Sequence, residues 1–583
     1  MLNSKSGTPS MPLISRRRFV RGIAACGAFM GLGLPSGLSM ASPQNRYGAE
    51  TLRGNKFDLN VAYQPVNFTG KDRMATAVNG SVPAPTLRWR EGDRVTLSVT
   101  NNLAEDSSIH WHGLILPTEM DGVPGLSFDG IKPGETFEYE FDLQQSGTYW
   151  YHSHSGFQEP TGMYGAIVID PKEPDPVAED RDYVVMLSDW SDEKPQAIYA
   201  KLKKLSHYYN FRERTVFDLW RDLKDKGVAG TWREREMWNQ MRMSQTDISD
   251  VTGYTYTYLM NGVTPDEGWL GLFKKGEKIR LRFINGASMT LFDVRIPGLK
   301  MTVVASDGQN VQAVTVDEFR IAPAETYDVI VEPSDDRAYT VFAQNIDRTG
   351  YARGTLTPEL GLTSSVPSMD RAPVLGHREM GMGMGVAMGM NHDMAGMDHS
   401  KHRMGGTPKP QHVASEDGPH VDMQAENPQS GLHDPGIGLR DHESLHGRKV
   451  LTYADLKNLY PTVDRRAPGR EIELHLTGNM NRYMWSLNGI KFADAEPLQL
   501  KHGERVRITL VNDTMMSHPM HLHGLWSELE TGDSNYLPRK HTVIVQPGSK
   551  ITYLVSADAL GRWAYHCHLT YHMPGMFREV RVS

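Results

Sequence analysis

EGDRVTLSVTN, residues 91–101, is echoed twice further along the chain, as KGEKIRLRFIN at 275–285 and as HGERVRITLVN at 502–512. In each copy a Gly opens an alternating apolar run and an Asn closes it nine residues later: Gly92 to Asn101, Gly276 to Asn285, Gly503 to Asn512. Alternation with period two puts one face of the run inward, the pattern of a half-buried strand. Each copy is followed by a hairpin signal, Pro133-Gly134, Pro323-Ala324 and Pro547-Gly548. The repeat is too long and too divergent for a solenoid. Beyond Arg53 most of the chain reads as short strands punctuated by Gly and Pro, and 583 residues are too many for one core. The expected fold is therefore all-β, with three β-sandwich domains of one kind at residues 48–172, 180–352 and 447–583.

The repeat also serves as a ruler. Nine and eleven residues past the Asn stand His110 and His112 in the first copy, His521 and His523 in the third, and Val294 and Ile296 in the middle one. Nineteen and twenty-one residues past the hairpin Pro stand His152 and His154, then Phe342 and Gln344, then His566 and His568. The outer copies carry histidine pairs at matched positions; the middle copy lacks them and reads as a spacer. Residues i and i+2 of a strand share a face, so each pair is a chelating edge or a bridge between neighbouring metals. One pair is weak evidence, because a strand histidine is more often simply hydrogen-bonded. Four matched pairs supply more imidazoles than one tetrahedral zinc can use, and imidazole suits copper, iron and nickel as well.

Cys567 lies between His566 and His568, so on a strand it points to the opposite face. On that side His572 follows five residues on, and His518 stands three residues before His521. One thiolate, two imidazoles and a more distant Met make the donor set of a blue-copper site. The first copy has Ser153 and Ser107 at the positions of Cys567 and His518, and the middle copy has Ala343 and Leu291. Only the third copy can hold such a site. His566-Cys567-His568 then forms a short electron path between a one-electron copper and a histidine-held centre.

The N-terminus reads as an export signal over residues 1–41. Ser15-Arg16-Arg17-Arg18-Phe19 precedes an apolar, Gly-rich run from Gly22 to Leu34, and Ser39-Met40-Ala41 offers small residues for cleavage. About 15 apolar residues fall short of the ~20 that span a bilayer, so no transmembrane anchor is expected. The twin-arginine pattern predicts the twin-arginine export machinery as a partner and a periplasmic location. Cleavage removes Cys26 and leaves Cys567 as the only cysteine. A lone thiol outside the cytoplasm is accounted for by metal ligation. The net charge of -8 carries no basic bias toward nucleic acid.

These residues resemble those of a multicopper oxidase. The four ligand motifs stand as His110-Trp111-His112-Gly113, His152-Ser153-His154, His518-Pro519-Met520-His521-Leu522-His523 and His566-Cys567-His568, and the likeness spans all three domains. It implies cupredoxin-like sandwiches and four copper ions, one type 1, one type 2 and two type 3. By the resemblance, His110 and His521 hold type 2 copper. His112, His152, His154, His523, His566 and His568 hold the type 3 pair, and His518, Cys567 and His572 hold type 1. The implied reaction couples four one-electron oxidations of a donor to reduction of O₂ to water.

The loop from His572 to the axial residue is one residue shorter than the family's usual length. Met576 is the axial candidate, with Met573 as the alternative. Asp121, in Met120-Asp121-Gly122-Val123-Pro124, has the family's spacing for an acid that assists proton delivery, although Asp-Gly is also a common turn. The acid usually adjacent to the last His is absent, since Met573 stands there.

Two insertions remain. Within 353–446, expected to be a flexible Met/His-rich linker, lie Met380, Met382, Met384, Met388, Met390, His392, Met394, Met397, His399, His402 and Met404. Met can make an adaptable apolar surface, but these alternate with Gly beside His, and thioethers select Cu(I). With the export signal, this run narrows the resemblance to the copper resistance protein A group. The activity implied is oxidation of Cu(I) to Cu(II), with laccase-like oxidation of phenols or copper sequestration as alternatives. The second insertion, about 197–247, is charged and aromatic; it is expected to be helical and to pack over the middle domain.

Overall fold

The computed structural model describes residues 46–241, 243–376, 378–381 and 410–583. The export signal at 1–41 and the insert from Met382 to Met404 lie outside the described residues.

The described strands form six sheets, two from each repeat. Strands between Thr51 and Asp170 make a five-stranded and a four-stranded sheet. Those between Arg181 and Thr357 make a six- and a five-stranded sheet, and those between Gln429 and Val582 a seven- and a five-stranded sheet. The fold is three cupredoxin-like sandwiches, as expected. The last strand of the second, Tyr351–Thr357, runs past the boundary at 352 because it pairs with both Tyr339–Asn345 and Trp269–Leu272. Among the described residues no helix is long and apolar enough to cross a membrane.

The repeated Asn has one job in all three copies. Each ends its strand fully buried, at Asn101, Asn285 and Asn512. Its amide nitrogen donates to two carbonyls: Glu105 and Ile131, Thr290 and Ile321, Met516 and Val545. Its carbonyl oxygen accepts from the backbone two residues on, at Leu103, Ala287 and Thr514. A buried amide with its donors and acceptor satisfied pins the loop that leads to the next strand. The hairpin positions match as well. Gly134 and Gly548 take φ of 79° and 60°, and Ala324 adopts the same left-handed conformation at 73°.

These loops deliver the histidine strands in register. His110 lies opposite His152, and His521 opposite His566, across antiparallel pairs. In the middle copy the corresponding strands are offset by one residue from the ruler, with Val294 opposite Ala343 and Asp293 opposite Gln344. Asp293 is held there by Arg320 at 2.7 Å and Arg348 at 2.6 Å, all three buried. A charge cluster replaces imidazoles in the spacer.

The helical insertion comprises Pro195–Leu202 and Val216–Met241, the second broken at Gly227 with φ 69°. Ile198, Leu202 and Trp238 bury against the shared core of the second and third sandwiches. The insertion does more than cover the middle domain. Lys203 Nζ donates to the Tyr483 carbonyl at 2.7 Å, and Tyr199 stacks on Tyr571 in the third.

Candidate metal centre

The first and third sandwiches meet through their histidine edges. His110, His112, His152, His154, His521, His523, His566 and His568 converge in one buried cluster, His154 alone being partly exposed. Three sets each have ligand atoms within 4.8 Å of one another: His110 with His112 and His521, His112 with His152 and His568, and His154 with His523 and His566. Every set draws on both sandwiches. The rings of His112 and His521 stack at 3.7 Å between centroids, and those of His110 and His523 at 4.0 Å.

Hydrogen bonds at the rims decide which nitrogen faces the centre. Nδ1 of His110 donates to the Asp121 carbonyl at 2.7 Å, that of His521 to the His541 carbonyl at 2.6 Å, and that of His566 to the Cys567 carbonyl at 3.0 Å. A proton held at Nδ1 leaves Nε2 as a lone pair. Nε2 of His110, His152 and His521, and both ring nitrogens of His112 and His568, are buried without a hydrogen-bond partner. Nε2 of His566 faces Nε2 of His523 at 3.0 Å and of His154 at 3.4 Å. Burial, then repulsion from neighbouring rings, lowers the pKa of His112, His152, His154, His521, His523 and His568, and that of His566 to about 4. Neutral imidazoles aiming lone pairs at one another need a cation between them, and this set fits copper.

Carboxylates brace the cluster from outside. Asp121, capping the turn Thr118–Met120, is buried and reaches His523 Nδ1 at 2.9 Å and His110 Nδ1 at 3.3 Å. It therefore contacts one histidine from each sandwich. A Cβ at Gly122 would lie 1.8 Å from the Ile109 carbonyl oxygen, so only glycine lets this turn close against the His110 strand. Glu159 stands 2.6 Å from His152 Nδ1. Such carboxylate–histidine contacts orient a ligand ring and raise its basicity.

On the other face of the third sandwich, Cys567 Sγ lies 3.5 Å from His518 Nδ1 and 3.9 Å from His572 Nδ1, and the two nitrogens are 3.2 Å apart. All three are fully buried. Their outer nitrogens are occupied: His518 Nε2 bonds Thr514 Oγ1 at 2.7 Å, and His572 Nε2 bonds Asp250 Oδ2 at 2.6 Å. Burial pushes the Cys567 thiol well up, so a thiolate there requires a cation. Met576 is fully buried beside these residues, its carbonyl accepting from Cys567 N at 3.0 Å, whereas Met573 is half-buried. The short loop is closed by Gly575: a Cβ there would lie 2.1 Å from the Trp485 carbonyl oxygen. Trp485 in turn stacks on His572 at 3.8 Å.

Four contributors escaped the sequence reading. Asp250 arrives from just beyond the helical insertion, Glu159 from a single 3-10 turn, and neither has a motif. Thr514 stands two residues past the repeated Asn, a place that could have been inspected. His541, buried with Nε2 unpartnered and its ring 4.7 Å from that of His112, belongs to no His-x-His pair. Of the insert, Met380 is described, and it packs into the apolar core.

Three stretches of the chain, residues 60–174, 231–359 and 465–583, match the multicopper oxidase family, and the chain belongs to that family. Its histidine clusters match in composition the type 1 and trinuclear copper sites of such enzymes. More narrowly, it is 56% identical to copper resistance protein A of Escherichia coli, over 98% of this chain and 99% of that one. It is also 56% identical to copper resistance protein A of Pseudomonas syringae pv. tomato, again over 98% and 99%. Among solved structures, Fet3p, a multicopper oxidase that functions in iron import, shares the fold with a TM-score of 0.60 at 18% identity, covering 91% of each chain. A laccase from Botrytis aclada does so at 0.60 and 20%, covering 92% of this chain and 89% of that one.

Proposed function

We propose that this protein is an exported cuprous oxidase of copper resistance, oxidising Cu(I) to Cu(II) and passing the electrons to O₂, which is reduced to water. The observation that carries this reading is the His566-Cys567-His568 strand, whose cysteine faces one buried donor set while its two histidines enter the other. Copper bound at the two sets would supply one-electron oxidation at the first and O₂ reduction at the second.

In this reading His518, Cys567 and His572 would hold type 1 copper, with Met576 as the candidate for a further, weak donor. His110 and His521 hold type 2. His112, His152 and His568 hold one type 3 ion, and His154, His523 and His566 the other, a division supported by the three spatial groups. Backbone atoms of residues 566 to 568 join the sets covalently, so electrons need no side chain to move. Asp121, touching His110 and His523, is placed to hold and deliver protons at the cluster. Cu(I) as donor is supported by the 56% identity to proteins named for copper resistance and by the thioether-rich run from Met382 to Met404. The N-terminal 1–41 segment would direct a folded protein to the periplasm through the twin-arginine machinery. The domain boundaries at 48–172, 180–352 and 447–583 belong to the same proposal, the second extended to 357.

The test is O₂ uptake by copper-loaded protein given Cu(I), beside a Cys567→Ser variant that keeps its histidine-bound copper. Rapid uptake lost in the variant supports the reading; equal, slow uptake in both replaces it with copper storage. Deleting 382–404, which leaves the packed Met380 in place, separates donors. Loss of Cu(I) oxidation with phenol oxidation retained points to copper as the donor, and no change in either points to a laccase-like enzyme.

A further inference from the structure

A second histidine–carboxylate cluster lies in the third sandwich, outside the copper centre. His475 sits in the strand Arg470–Asn479, and Asp513 directly follows the neighbouring strand Arg505–Asn512. His412 and Glu416 come from the segment that enters the sandwich after the Met/His-rich insert, around the short turn Ala414–Asp417. Four donor atoms form a closed ring. His412 Nδ1 is 2.8 Å from Glu416 Oε2 and 3.7 Å from Asp513 Oδ2. His475 Nδ1 is 2.6 Å from Asp513 Oδ2 and 3.6 Å from Glu416 Oε2.

We propose that His412, Glu416, His475 and Asp513 form a binding site for one divalent transition-metal cation. The proposal stands on these contacts and does not depend on the oxidase reading. Four donors around a tetrahedral ion with ~2.0 Å bonds are separated by about 3.3 Å, and the four edges given above bracket that value. The side chains of Glu416 and Asp513 are completely buried. Two carboxylates out of water demand compensation; a protonated His475, its pKa raised to about 9 against burial by Asp513, Glu416 and Glu473, supplies one positive charge, and a divalent ion with both imidazoles neutral would bring the cluster to zero. The four inward donor atoms contact one another, and the outer atoms Glu416 Oε1 and His412 Nε2 are buried without a hydrogen-bond partner.

The surroundings are those of a metal ligand set. His475 donates from both ring nitrogens, Nδ1 to Asp513 at 2.6 Å and Nε2 to Glu473 at 3.1 Å; a bound cation would take the place of the Nδ1 proton while Glu473 kept the ring oriented from outside. Asp513 is fixed by the Ala425 amide at 2.7 Å, and Glu473 by the Gln411 amide at 2.7 Å. Two nitrogens and two oxygens without sulfur suit Cu²⁺ and Zn²⁺ and disfavour Cu(I), and Cu²⁺ ranks above Zn²⁺ for such donors.

Zn²⁺ is the first probe, on full-length copper-loaded protein. Crystals soaked in it should show anomalous density at the zinc edge between these four side chains, and chelator competition should show affinity falling by at least about tenfold in Glu416→Gln and in His475→Gln. Cu²⁺ should displace the zinc. The blue absorption band should be unchanged in both variants, which reports that the sandwich is intact. If either variant fails to fold, the map of the unaltered protein decides alone. Zinc density elsewhere, or none, overturns the proposal, and the cluster is then a hydrogen-bonded ion-pair network. Equal zinc affinity in folded variants overturns it too.

Discussion

Asp250 and His572 meet at 2.6 Å, carboxylate to Nε2, across 322 residues of chain. Asp250 also accepts from the Tyr483 hydroxyl at 2.7 Å, and both residues are buried. The segment that follows the helical insertion of the middle sandwich thus orients His572, a proposed copper ligand, in the third. Asp250→Asn keeps the shape and removes the charge. Because outer carboxylates set ligand basicity, a drop of roughly 10–100-fold in donor oxidation is expected, with a shifted blue absorption band and unchanged total copper. Retained activity with an unshifted band would show that His572 is oriented by Trp485 alone.

Cys567→Ser should lose the blue band and about one copper per chain, and donor-driven O₂ uptake should fall to background. Serine is nearly isosteric but is a far poorer partner for copper than a thiolate. Metal analysis beside oxygen-electrode traces reads both effects. Undiminished uptake would mean that electrons enter the histidine cluster by another route.

Asp121→Asn should slow O₂ reduction by about 10²–10⁴-fold, the usual worth of a positioned proton donor, while single-turnover bleaching of the blue band by donor proceeds at the normal rate. The split separates proton delivery from electron entry. Gly122→Ala should reproduce it with added loss of stability, because its Cβ has no room against Ile109. Equal slowing of bleaching and reoxidation would count against a proton role.

Acid should weaken the junction formed by Asp370. Burial alone would raise its pKa, but Arg448, the Gln344 amide and Arg295 hold it down to about 2. A carboxylate depressed in the folded state contributes stability above its unfolded pKa, and that stability is lost as pH falls from about 4 through 2. Discounted for solvent screening, the contribution is about 1–2 kcal/mol. Asp370→Asn should therefore be less stable than the unaltered protein at neutral pH, and by denaturant titration the gap should narrow from about pH 4 and close only near pH 2. A constant gap would assign the effect to packing.

The repeat was legible in the sequence because one residue type does one mechanical job three times. Asn101, Asn285 and Asn512 each satisfy the same loop amides and carbonyls, so neither side chain nor spacing can drift. The histidines kept fixed distances from that landmark for the same reason. The residues that brace them obey no such spacing. Asp250, Glu159 and His541 reach the centre from segments whose positions depend on how one sandwich packs on another.

Local pattern by itself determined the three sandwiches, the lack of histidine pairs in the middle one, the pairs in the outer two and the placing of Cys567 on the face opposite its neighbours. Strand periodicity and loop pinning are short-range, so they are written in contiguous residues. Tertiary structure alone decided how the histidines sort into three groups, each shared between the first and third sandwiches, and which ring nitrogens face inward. It also decided that Met576 rather than Met573 is buried at the cysteine site, and that His412, Glu416, His475 and Asp513 come together at all. Those outcomes depend on contacts between segments hundreds of residues apart, where hydrogen-bond partners and exclusion of water are set by packing and not by order along the chain.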